Sequence, residues 1–99
     1  MDEFPIPLTE RDRPVIDAPH RLRWEEADGC YVLRSATGTV RLNESAAEIL
    51  KRCDGSRSAA QLVDELKALY TGAGGEIDAG VRRFLGLARA RGWIRYAGA

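Results

Sequence analysis

The chain has 99 residues, 44% of them apolar, which suffices for one modest core but not for a core plus a deep enzyme cleft. Lysine plus arginine equals aspartate plus glutamate at 15 each, and so even a balance argues against a dedicated nucleic-acid binder. One histidine and two cysteines, with no CxxC, are too few ligands for a zinc site, and no run approaches the ~20 apolar residues of a membrane span.

Residues 1–19 hold all four prolines (Pro5, Pro7, Pro14 and Pro19) and read as an extended arm lying on the body or on a neighbouring copy, because proline fixes φ and pushes its predecessor toward extended backbone. The opening MDEFPIPLTERDRP is acidic, with no apolar run of signal-peptide type, so a soluble cytoplasmic protein is expected. From His20 the pattern alternates. RLRW puts Leu22 and Trp24 on one face and Arg21 and Arg23 on the other. Asp28-Gly29 supplies a turn, CYVLR a second strand, SATG a second turn, and TVRL a third strand with Val40 and Leu42 facing inward. Short loops and the absence of proline from residues 20–42 predict an antiparallel meander.

Helical signals follow. Asn43 and Ser45-x-x-Glu48 are alternative caps for a first helix whose stripe is Ala46, Ile49, Leu50 and Cys53, ended by Asp54-Gly55. Ser58-x-x-Gln61 opens a second helix with Leu62, Val63, Leu66, Leu69 and Tyr70 inward. After the loop Thr71–Gly75, a third helix spans about 76–91, with Ile77, Val81, Phe84, Leu85 and Ala88 on its apolar side. Gly92 stops it, and Trp93-Ile94-Arg95-Tyr96 reads as a short final strand or tail. The fold class is therefore α+β and winged-helix-like: a three-stranded antiparallel meander, three helices (β-β-β-α-α-α) and a C-terminal strand or tail. The arm is residues 1–19 and the folded domain residues 20–96.

Nothing in the chain reads as catalytic. His20 stands beside Pro19 at the edge of the arm, and no serine or cysteine has a nucleophile's setting. The TGAGGE run follows a helix rather than a strand and lacks the Gly-Lys-Ser/Thr ending of a phosphate loop. Cys30 and Cys53 are expected as buried free thiols, and no cofactor or metal is expected. Charge is mildly segregated: residues 1–20 carry five acids against two arginines, and residues 76–99 two acids against five arginines, giving the last helix a basic rim.

Residues 42–55, LNESAAEILKRCDG, resemble the signature of the PqqD family, small proteins of pyrroloquinoline quinone biosynthesis. The likeness continues through Leu62-Val63-x-x-Leu66, Tyr70, Phe84-Leu85 and Gly92-Trp93-Ile94, and covers roughly residues 20–96. It departs from the family at Ala36-Thr37 before Gly38 and at Gly80. The resemblance implies a non-enzymatic role: binding the ribosomal precursor peptide PqqA and presenting it to the radical S-adenosylmethionine enzyme PqqE. It further implies that the peptide, the guest, lies as an added strand against the third strand and packs on the third helix.

That placement makes Thr39, Val40, Arg41 and Leu42 the expected edge, and Val81, Phe84, Leu85, Leu87 and Ala88 the expected apolar wall. Val81, Leu87 and Ala88, at the stripe's margins, are favoured for guest contact over Ile77, Phe84 and Leu85. Arg82 and Arg89, with Arg41, Arg83 and Arg91, are candidate partners for acidic peptide residues, and Gly80 could admit a guest backbone. No nucleic-acid or membrane partner is expected, while the free edge could also pair with a second copy in a homodimer. Two rival readings are a recognition domain of another peptide-modification pathway and a winged-helix DNA-binding protein using the third helix.

Overall fold

In the computed structural model the described residues are 11–70 and 74–97, and the chain runs β1 (Arg13–Ile16), β2 (Arg21–Glu25), β3 (Cys30–Ser35), β4 (Gly38–Arg41), α1 (Glu44–Lys51), α2 (Ala59–Leu69), α3 (Gly74–Ala90) and β5 (Ile94–Ala97). The alternation beginning at Arg21 becomes the expected meander, in the order β2-β3-β4. Leu22, Leu33 and Val40 stand opposite one another on its inner face, as do Trp24 and Tyr31. The second hairpin closes through the two residues Ala36-Thr37, as expected. The first is looser than Asp28-Gly29 alone would make it. Glu25 pairs with Cys30 across a four-residue loop, and Gly29 takes the left-handed position at φ 64°.

The end of the proline-rich arm, residues 13–16, is a strand. β1 pairs antiparallel with β5, Ile16 opposite Ile94, so the two ends of the described chain are tied together. Three further backbone bonds anchor it to the helical layer. Ile16 N–H donates to Cys53 O at 3.0 Å, Gly55 N–H to Pro14 O at 3.0 Å, and Ala59 N–H to Asp12 O at 2.8 Å. Pro14 fits because its missing N–H costs little in an edge strand. The arm's residues 1–10 lie outside the described residues, as do residues 71–73 of the expected loop.

The helices form where their caps are. Asn43, rather than Ser45, caps α1: its side chain accepts from the Ala46 N–H at 2.8 Å. Ser58 and Gln61 form a reciprocal capping box at α2. The core joins Leu33 and Leu42 of the sheet region to Ile49 and Leu50 of α1, Leu62 and Leu66 of α2, Leu85 of α3 and Ile94 of β5. α1 stops at Lys51, so Cys53 lies past the helix, where its thiol donates to Ile49 O at 3.3 Å and burial pushes its pKa up to about 12. Leu69, expected inside, is 49% exposed because it falls in the last turn of α2, beyond the reach of the core. The likeness to a winged helix is loose, since the meander precedes all three helices.

Asn43→Ala should lower the free energy of unfolding by about 1 kcal/mol, the usual worth of such a cap. A urea titration checks this, with the midpoint falling and the slope unchanged.

Candidate peptide-binding site

β4 has one neighbour, β3, and its other side is free among the described residues. The ladder fixes which groups lie there. Leu42 N–H donates to Tyr31 O at 3.0 Å, and Leu33↔Val40 continues the same phase two residues on. In an antiparallel pair the hydrogen-bonded and non-bonded positions alternate. Thr39 and Arg41, opposite Arg34 and Val32, therefore turn their N–H and C=O groups away from β3. Those four groups are the open rungs of the sheet.

Two cavities lie near this strand, one touching it and one beyond its end at Asn43, and α3 or its end walls both. The first, ≈ 400 Å³, lies between Asn43, Ser45, Ala46 and Ile49 at the start of α1 and Ile77, Gly80, Val81 and Phe84 on α3. Leu66 and Tyr70 of the α2 end complete its lining, with Glu76 at the start of α3. The second, ≈ 290 Å³, is lined by Leu33 and Ser35 of β3, the turn and start of β4 from Thr37 to Val40, His20 before β2, and Arg91 and Trp93 past the end of α3, a mainly polar set. The Phe84 and Trp93 rings meet at 6.4 Å, so the wall passes from one cavity to the next. The start of β4 lies by the end of α3, and Asn43 by its middle, so strand and helix run in opposite directions. Thr39 to Asn43 covers about 13 Å of strand, and Gly80 to Arg91 about 17 Å of helix. The two cavities in line make a channel along α3, with Thr39 and Val40 at one end and Asn43 beside the other.

α3 carries two stripes. Val81, Leu85 and Ala88 recur at i, i+4, i+7 and are 4%, 0% and 0% exposed, all core. Gly80, Phe84, Leu87 and Arg91 recur at i, i+4, i+7, i+11, a line turned from the first by roughly 80–100°. Phe84 is half-buried at the first cavity, Leu87 is 44% exposed, and Arg91 stacks 5.5 Å from the Trp93 ring. The preference for Val81, Leu87 and Ala88 is therefore divided: Leu87 stands on the channel stripe, Val81 forms cavity floor, and Ala88 is sealed inside. Leu85 is sealed as well, and Leu42 is a core residue at 7% exposure.

The arginines also separate. Arg82 pairs with Asp78, a turn back on its own helix, and Asp78 also faces Lys67 of α2 at 3.8 Å. Arg89 lies 5.6 Å from the Tyr96 ring, on the side toward β5. Arg91, just past the end of α3, lines the second cavity. The side chain of Arg41 is on the outer face of the sheet, where the Cys30 thiol and the Asp28 carboxylate raise its pKa above the ordinary value.

Tyr70 and Trp93 belong to the channel, although the sequence pattern puts Tyr70 on the inward stripe of the second helix and Trp93 in the final strand or tail, and neither among the candidate contacts. The Tyr70 hydroxyl is buried with no hydrogen-bond partner among the described residues. Burial, then the charges of Glu44 and Glu48, raise its pKa, so it stays a neutral O–H donor lining the first cavity. Among the described residues no group of three or more His, Cys, Asp or Glu side chains could hold a metal ion, and no helix is long and apolar enough to cross a membrane.

An α+β domain with a free strand edge, set near a helix-walled channel whose deeper end is apolar, is thus the class that fold and site define. The family model for coenzyme PQQ synthesis protein D (PqqD) matches residues 29–94. The chain belongs to the PqqD family. It is 42% identical over 86 residues to a PqqA binding protein of Azotobacter vinelandii, covering 87% of this chain and 92% of that one. A PqqA binding protein of Rahnella aquatilis is 35% identical over 91 residues, covering 92% and 95% of the two chains. Among solved structures, the solution structure of the PqqD truncation of Methylobacterium extorquens PqqCD matches with a TM-score of 0.70 at 27% identity, over 92% of this chain and 97% of that one. That protein is described as a functional, stand-alone recognition element for ribosomally synthesized and post-translationally modified peptides.

Proposed function

We propose that this protein is a non-catalytic peptide chaperone of pyrroloquinoline quinone biosynthesis, working in the cytoplasm. It binds the ribosomal precursor peptide PqqA as a strand added to β4 and presents it to the radical S-adenosylmethionine enzyme PqqE. The observation that carries the reading is the pair Thr39 and Arg41, whose backbone groups face outward beside a channel that is polar at its Thr39 end and apolar at its Phe84 end. The relatives named PqqA binding proteins and the recognition element of similar fold support it.

Main-chain bonds alone would not suffice. Four open groups, each contributing about 1 kcal/mol net, barely offset an association cost of ~4–15 kcal/mol. Apolar side chains of the guest must therefore enter the channel, against Phe84, Leu87 and Val40. Strand addition of this kind takes affinity from the backbone and selectivity from the side-chain sites.

An amide shift map with purified PqqA tests the reading. Shifts should concentrate in residues 37–43 and 77–91, and shifts centred on residues 20–30 would overturn it. The same titration at two salt concentrations separates the DNA-binding alternative. Counterion release would weaken DNA binding by about a thousandfold or more between 50 and 200 mM salt, whereas strand addition should change only modestly.

A further inference from the structure

The face of the meander turned away from the core carries four exposed arginines: Arg21, Arg23, Arg34 and Arg41. The register sets Arg21 directly opposite Arg34, and places Val32 between Arg23 and Arg41. Like charges directly opposed across two strands destabilise a sheet, so the Arg21–Arg34 pair is not arranged for the stability of the isolated domain, although Val32 on the same face is fully buried. Neutralisation is slight. Glu25 reaches Arg34 at 3.4 Å and Asp28 lies near Arg41, while Arg21 and Arg23 form no ion pair with a described residue.

We propose that this arginine face is a docking surface for an acidic patch on a partner protein, namely the enzyme that takes over the bound peptide. Arginine suits the task, because its planar fork meets carboxylates two bonds at a time. Position supports it too. A guest strand on β4 continues the same sheet, so its outward side chains emerge next to Thr39 and Arg41, on the arginine face itself. A partner seated there meets the guest's exposed residues while the channel holds the others. A protein is favoured over a nucleic acid or an anionic membrane because the formal charge of the whole chain is zero.

The inference uses the channel reading only to place the guest, and the two can fail separately. The test compares the wild-type protein with the variant R21E/R23E/R34E and the milder R21Q/R23Q/R34Q, leaving Arg41 at the guest edge intact. Each is titrated with purified PqqE and, separately, with PqqA. Affinity for PqqE should fall at least about tenfold in the glutamate variant and less in the glutamine variant, with the wild-type affinity weakening as salt rises. Affinity for PqqA should stay within about twofold of wild type, since rim charges add little to a contact they do not touch. Unchanged PqqE affinity, or no wild-type binding to PqqE, would overturn the proposal. So would a matching loss of PqqA affinity, an arginine-dependent dimer, or arginine-dependent binding to a DNA duplex. Loss of PqqA binding from the wild type, with arginine-dependent PqqE binding intact, would sink the channel reading alone.

Discussion

Gly80→Leu is expected to weaken binding of the precursor peptide by at least about thirtyfold while raising the thermal midpoint. The two effects have different causes and opposite signs. Gly80 sits inside α3, where glycine is less favourable than a helix-forming residue by roughly 1 kcal/mol. Its φ is not in the left-handed region, and a Cβ built there meets nothing within 4 Å. The substitution should therefore raise the midpoint by ~4–8 °C for a domain of this size. The new side chain, however, points into the first cavity, which Gly80 lines. Excluding one guest side chain forfeits about 2 kcal/mol of burial, which is the thirtyfold loss. Differential scanning calorimetry and isothermal titration read the two signs separately, and a raised midpoint with unchanged affinity would place the guest elsewhere.

Leu85→Ala and Leu87→Ala, two residues apart, should give contrasting results. Leu85 is fully buried in the stripe that packs α3 onto the body, so truncation should remove ~2–5 kcal/mol, a large share of the 5–15 kcal/mol typical of a domain. Leu87 lies on the channel stripe at 44% exposure, and its truncation should change stability by less than ~0.5 kcal/mol. The guest's affinity should nonetheless fall by about tenfold. Urea titration with a calorimetric binding measurement checks both, and a destabilising Leu87→Ala would merge the two stripes into one.

Much of this was legible in the chain because the signals are local. The meander followed from alternation in residues 20–42, and Asn43 and Ser58 announced their helices by cap chemistry that acts within one turn. β1 escaped because its partner, β5, is some 80 positions away and Pro14 masks the strand. The channel was half legible. The free edge of β4 and the apolar α3 could be read directly, but residues 77–88 are apolar over so wide an arc that periodicity alone cannot say which half meets the body. The clue that was present is the line Gly80, Phe84, Leu87, Arg91, whose glycine, exposed leucine and terminal arginine do not make a core. Arginine placement shows the same division. The pairing of Arg82 with Asp78 is an i,i+4 contact, whereas the stacking of Arg89 near Tyr96 depends on where β5 docks.

Amide exchange at Thr39 and Arg41, measured by NMR with and without PqqA, tests most directly whether the guest joins the sheet. Val40, already bonded to Leu33 across β3, serves as the internal reference. On saturation with PqqA, exchange at Thr39 and Arg41 should slow at least about tenfold, as open rungs become paired, while Val40 changes far less. Binding that leaves Thr39 and Arg41 exchanging as fast as in the free protein would contradict strand addition at β4.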